Sequence, residues 1–224
     1  MSGSGFDALT AAWRQGRIVP LAGPAPAERQ ALAAAIGAAG LGALERRWGP
    51  GVVLGSGGSS GGRRWCLQPL AHLRRSAEAS GDWLAAIGID PARCLHLNPL
   101  PSHHVSGLLP PLRADAWGAV HQPLPPALMR DAPALVRALS LPPDRPVLLS
   151  LVPTQLRRLM AWPQGLAWLR RLAVIWVGGA PLPADLAASS RRRTSARGAP
   201  QPAPPARNRS GGRAQTIAAV SVAP

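Results

Sequence analysis

Residues 51–64 read GVVLGSGGSSGGRR, a short apolar run that gives way to ten residues made only of glycine, serine and arginine. The run at 51–54 is too short for a helix, carries β-branched Val52 and Val53, and is bounded by glycine, so it reads as a buried strand. The five glycines of 55–64 let successive backbone N–H groups turn toward one point. Three serines add hydroxyl donors, and Arg63 and Arg64 add positive charge, a set that suits a polyphosphate. The same composition is also that of a flexible connection, so on its own the segment leaves both readings open.

Outward from this stretch the chain alternates. Residues 94–97, 147–151 and 173–177 are apolar runs of strand length with Gly or Pro nearby. Between them, residues 69–87 place Leu70, Leu73, Ala77, Leu84 and Ile87 at helical spacing, with Pro69 at the first turn and Gly88 past the end. Residues 153–162 repeat the design with Leu156, Leu159 and Met160 on one face. Residues 27–41 read as one alanine-rich helix ending at Gly40 or Gly42, and residues 6–13 as another. Strands alternating with helices predict an α/β fold, a mainly parallel sheet with crossover helices. Trp83, Trp162, Trp168 and Trp176 sit in apolar patterns and are expected in the core.

Composition adds bounds. The chain has 224 residues, 46% of them hydrophobic, enough to bury a sizeable core. No apolar run reaches the length of a membrane span and the N-terminus lacks signal-peptide character, so a cytoplasmic location is expected. All 25 basic residues are arginine, and lysine and tyrosine do not occur. The 10 acidic residues all lie at or before Asp185, whereas residues 189–224 hold 7 arginines. Pro, Gly, Ser and Arg dominate that segment without hydrophobic period, which predicts a disordered basic tail over 189–224 behind a domain at 1–188. The tail reads either as a nucleic-acid arm or as a frame-shifted end.

Two nucleotide motifs fail in the Gly/Ser stretch. Gly57 and Gly62 have P-loop spacing, but Arg63 and Arg64 stand where Lys and Ser or Thr are needed. The dinucleotide fingerprint lacks a third glycine, because Ser60 stands there. The stretch instead resembles the phosphate loop of the adenylate-forming superfamily of acyl-CoA synthetases, Ser/Thr-Gly-Ser/Thr-Thr-Gly-x-Pro-Lys. Gly58, Ser59, Ser60 and Gly61 match its centre, and Arg63 and Arg64 replace the Pro and Lys. Further blocks come in the family's order. His72 is similar to the His that opens the next helix; NPLPSHHVSGL at 98–108 resembles the Leu-Pro-x-x-His-x-x-Gly-Leu block; SLVPTQL at 150–156 resembles the Pro-Thr block; and WVGGAPLP at 176–183 resembles the Gly-Gly-Ala-Pro-Leu turn. The compact leading region and the SLVPTQL wording look most like o-succinylbenzoate-CoA ligases of menaquinone and phylloquinone synthesis.

The resemblance implies an incomplete, AMP-binding N-terminal domain of an AMP-forming acid-CoA ligase, with ATP, Mg2+ and coenzyme A as cofactors of the complete enzyme and a small carboxylic acid as substrate. Ser56, Ser59, Ser60, Gly61 and Arg64 would hold the β and γ phosphates. His104 would lie in the acyl pocket near the attacking carboxylate, in a loop marked by Pro101, Ser102 and Gly107; a satisfied structural histidine is the alternative there. Gly178, Gly179, Ala180 and Pro181 would wall the adenine and acyl pocket. The family's Tyr-Gly-x-Thr-Glu segment, ribose Asp and adenylation Lys are missing, so a truncated fragment inactive alone is expected, with a complementing polypeptide as a possible partner. A sheet interrupted after residue 183 would leave edge strands uncovered. The alternative function is a basic nucleic-acid-binding module using the paired arginines, for which one Phe and no Tyr leave little stacking platform. Cys94, His96, His103 and His104 match no usual zinc spacing, and no metal site is expected.

Overall fold

The computed structural model describes residues 3–37, 40–56, 64–180 and 218–221. The fold is α/β, with parallel strand pairs joined through helices. It divides into two compact units, Met1–Pro123 and Leu124–Pro224.

In the first unit, α1 (Gly3–Arg14) leads to β1 (Ile18–Leu21), followed by α2 (Pro26–Gly37), α3 (Leu41–Trp48), β2 (Gly51–Ser56) and β3 (Arg64–Pro69). β1 runs parallel to β2, and β2 antiparallel to β3. Residues 51–55 of β2 are buried, as the apolar run requires. Trp13 Nε1 donates to Gly51 O at 2.9 Å, tying α1 to the start of β2. Ile18, Leu32 and Val53 form one buried apolar cluster, with Trp65 and Leu67 of β3 packed against it. Glu45 of α3 accepts from Ile18 N at 2.9 Å and from Arg17 Nε at 3.0 Å. The Ile18 N–H, then the Arg17 guanidinium, hold its carboxyl below the usual carboxylate range against desolvation.

α4 (Leu70–Ala86) buries Leu70, Leu73, Ala77 and Leu84, the face read from its spacing. β4 (Leu95–Asn98), α5 (Val105–Trp117) and β5 (Val120–Pro123) then form a strand-helix-strand crossover with the two strands parallel. α5 crosses α4 through Trp117, whose Nε1 donates to Ala77 O at 2.9 Å.

The second unit contains α6 (Ala132–Ala138), β6 (Val147–Leu151), α7 (Pro153–Met160), α8 (Pro163–Leu169), β7 (Val174–Val177) and β8 (Ala218–Ser221). β6 and β7 are parallel, and every residue of both is buried. β8 runs antiparallel to β7 along its whole length.

Several expectations are corrected. The helix expected over 27–41 is two helices: α2 ends at Gly37, and Gly40, at φ 69, precedes α3. β1, β3 and β5 are not legible as strands in the sequence, because β1 and β5 are four residues long and contain Pro, and β3 is half-buried and mixed in polarity. Trp162 is 52% exposed, since it sits in the short link between α7 and α8. Of residues 189–224 the structure describes 218–221, which form β8 along the edge of β7.

Candidate functional site

The Gly/Ser segment lies between two paired strands. β2 extends past the apolar run to Ser56, and β3 begins at Arg64, so Ser56 and Arg64 stand opposite each other across the ladder, with Gly55 opposite Trp65. Residues 57–63, including Ser59, Ser60 and Gly61, lie outside the described residues. The residues on either side of 57–63 therefore lie side by side at one end of the β2–β3 ladder. Arg64 is exposed there. A guanidinium and serine hydroxyls are the donor set a triphosphate needs.

His104 occupies the N-cap of α5, with extended backbone at φ −115 and ψ 145 and no capping bond from its side chain. Its N–H donates to Pro101 O at 3.1 Å, its carbonyl accepts from Gly107 and Leu108, and its ring lies 4.4 Å from that of His103. The expected loop is thus shorter: it ends at His104, and Gly107 is in the first turn of α5. Gly107 is required there by close packing, because a Cβ would collide with the carbonyl oxygens of Leu100 and Pro101. The chain after β4 folds back tightly on the helix it feeds.

Asn98, read in the sequence only as the start of a block, holds this bend. Its Nδ2 donates to Gly107 O at 2.9 Å and its Oδ1 accepts from Leu100 N at 3.0 Å, both buried. The helix needs this donor. Pro110 and Pro111 lie inside α5, and a proline at 111 removes the N–H that would have bonded Gly107 O four residues earlier. Asn98 supplies the missing proton from the strand. The signal in the sequence is a strand-ending Asn ahead of a helix that carries prolines in its interior.

Two positions before Asn98, His96 is fully buried, stacked on Trp117 at 6.5 Å between centroids, and faces its β5 partner His121. Burial, then Arg113 and His121, hold the His96 pKa well below the usual imidazole range. Desolvation lowers that of His121 to about 4 and that of Arg113 to about 10. His96 and His121 are therefore neutral at pH 7 and Arg113 is charged.

In the second unit the turn after β7 is built from backbone alone. Gly178 N donates to Leu151 O at 3.0 Å, at the end of β6, and Gly179 adopts φ 84. On the facing turn, Gln155 Oε1 accepts from Val152 N at 3.0 Å and closes the start of α7. Gly179 and Ala180 are exposed; Pro181 lies outside the described residues. His72 is exposed on the first turn of α4. Among the sequence-read site residues, the structure brings together Ser56 with Arg64 and, separately, Gly178 with Gly179 and Ala180. Each group, like His104, sits at the carboxyl end of a strand in a parallel pair or in the loop beyond it, where open α/β sheets bind ligands. Among the described residues, no group of His, Cys, Asp and Glu comes together as a metal site. No described helix is long and apolar enough to cross a membrane.

No protein-family model and no characterised protein sequence matches the chain. The solved structures that resemble it include adenylate-forming CoA ligases and synthetases. One is the o-succinylbenzoate CoA synthetase of Bacillus subtilis in complex with its acyl-adenylate intermediate, at TM-score 0.47 and 21% identity, covering 63% of this chain and 27% of that one. A malonyl-CoA ligase with methylmalonyl-CoA and AMP bound gives 0.42 and 24%, covering 60% and 28%. An amide bond synthetase of Marinactinospora thermotolerans gives 0.43 and 22%, covering 63% and 26%. The chain spans about a quarter of the length of each of these proteins.

Proposed function

We propose that the chain is the phosphate-binding portion of an AMP-forming acid-CoA ligase. In that reaction a carboxylate oxygen attacks the α-phosphorus of ATP, pyrophosphate leaves, and the thiolate of coenzyme A then displaces AMP from the acyl-adenylate. The observation that carries the reading is the Ser56–Arg64 rung, which brings the two ends of the Gly/Ser segment side by side at the end of the β2–β3 ladder. Ser56, Ser59, Ser60 and Gly61 are assigned to the β and γ phosphates, with Arg64 supplying the charge at the exit. A guanidinium forks onto two phosphate oxygens where an ammonium acts as a point charge, so binding tolerates Arg in the place of Lys.

His104 is assigned to the acyl pocket, where the tight bend held by Asn98 fixes its backbone. Gly178, Gly179, Ala180 and Pro181 are assigned to the wall of the adenine and acyl pocket, because exposed glycine backbone admits a flat ring closely. Mg2+, when bound, would neutralise charge on the phosphates. The carboxylates for it, the ribose acid and the adenylation lysine would be contributed by a complementing polypeptide. The order and wording of the sequence blocks favour o-succinylbenzoate as the acid and a cytoplasmic enzyme of menaquinone or phylloquinone biosynthesis.

Titration of the chain with ATP tests the first step. Saturable binding is expected, weakened about tenfold or more by Arg64→Ala, a loss of about 1.4 kcal/mol, and largely restored by Arg64→Lys. No saturable binding, or equal binding by Arg64→Ala, would overturn the assignment. Pyrophosphate release from ATP and o-succinylbenzoate is expected to stay at background with the chain alone; robust turnover would show that it needs no second polypeptide.

A further inference from the structure

β7 is a buried strand with β6 on one side, so its other edge presents backbone N–H and C=O groups that need partners. β8 supplies them, in the register Val174↔Ser221, Ile175↔Val220, Trp176↔Ala219 and Val177↔Ala218. Composition is an independent reason for this pairing. Within 189–224, rich in Arg, Pro and Gly, residues 217–222 read IAAVSV, a run of small and β-branched residues without Arg, Pro or Gly. Residues 181–217 number 37, and at about 3.3 Å per extended residue their reach far exceeds the length of a four-residue strand.

We propose that residues 218–221 are a built-in cap for the outer edge of β7, a strand-accepting edge that without it pairs with a second copy of the chain. The segment is neither a nucleic-acid arm nor an inert end: it protects the sheet against edge-to-edge association. This inference stands independently of the ligase reading.

The test uses the full chain with Ala219→Pro and Val220→Pro together. Neighbouring strand residues point their N–H groups to opposite sides, so one of the two prolines removes a donor to β7 whichever points inward. In wild type, amide hydrogen exchange across 174–177 is expected to be slow and the mass by light scattering to be that of a monomer. In the double variant, exchange of at least one β7 amide should quicken about tenfold or more, while amides of 147–151 stay protected and show that the unit is folded. The mass should rise with concentration. A synthetic peptide of residues 215–224 should restore protection in trans, and Ala206→Pro, outside β8, should change neither readout. Unchanged β7 exchange in the double variant would overturn the cap. So would a wild-type dimer that dissociates on the double substitution, because β8 would then belong to the other copy.

Discussion

β4 and β7 are both four-residue buried strands with a parallel neighbour, and each leads into a turn of the candidate site, yet they are built differently. β7 reads VIWV and holds its turn through a backbone bond and a glycine in the left-handed region. β4 reads LHLN and buries two polar side chains, one satisfied as a clamp and one kept neutral. An apolar strand fixes the position of its turn but leaves the turn to backbone conformation. A strand with a buried amide also fixes the bend beyond its last residue, at the cost of groups that must all find partners.

The largest expected effect comes from breaking the clamp. Asn98→Ala leaves Gly107 O and Leu100 N buried without a partner, each worth about 1–3 kcal/mol. A loss of about 3 kcal/mol in denaturant unfolding is expected. Pro111→Ala returns an N–H to the carbonyl of Gly107, so it should help the Asn98→Ala chain more than the wild type, with a coupling of about 1 kcal/mol in the double-mutant cycle. Strict additivity would mean that Asn98 does not stand in for the helix donor.

The same contrast explains how much can be read from the sequence. β6 and the core face of α4 are legible because burial on both faces or on one stripe imposes a pattern on side chains. α5 is not, since Gly107, Pro110 and Pro111 are all helix breakers in isolation; tertiary bonds and close packing override that propensity. For the same reason the only trace of the Asn98 clamp in the sequence is an Asn ending a strand ahead of internal prolines, and its partners are fixed only once strand and helix meet. The Gly/Ser segment can be recognised by composition, whereas its antiparallel setting, with Ser56 facing Arg64, depends on β3, whose mixed polarity hides its period. β8 is a four-residue pairing separated by residues 181–217 from the nearest described residue before it, and no local pattern specifies a partner at that distance.

Acid separates the two strands next, since β7 has no ionisable side chain and β4 has His96. The charges acting on His96 are Arg113 from α5 and His121 from β5, both cationic in acid. Its folded pKa lies below the ordinary 6.5, so at pH below about 6.5 the unfolded chain binds a proton that the folded chain refuses, and stability falls as pH falls toward the folded pKa. The limiting slope is about 1.4 kcal/mol per pH unit for this residue. Half-buried His121 adds a smaller contribution that ends near pH 4. Urea unfolding at pH 7.5 and 5.5 should show the loss, and His96→Leu should flatten it. An equal slope in His96→Leu would place the sensitivity elsewhere.

The smallest effect belongs to the backbone-built turn. At Gly179, φ 84 costs an L-residue about 1 kcal/mol, and a Cβ would lie 3.3 Å from Val152 Cγ1, a contact that a small shift of the valine relieves. Gly179→Ala should therefore lower stability by about 1 kcal/mol, and adding Val152→Ala should not recover it, because backbone conformation rather than crowding sets the penalty. Full recovery in the double variant would make the turn a packed one like that after β4. Persistence of the loss would keep the two turns distinct: one held by a side chain from its strand, the other by the only residue that occupies its φ without strain.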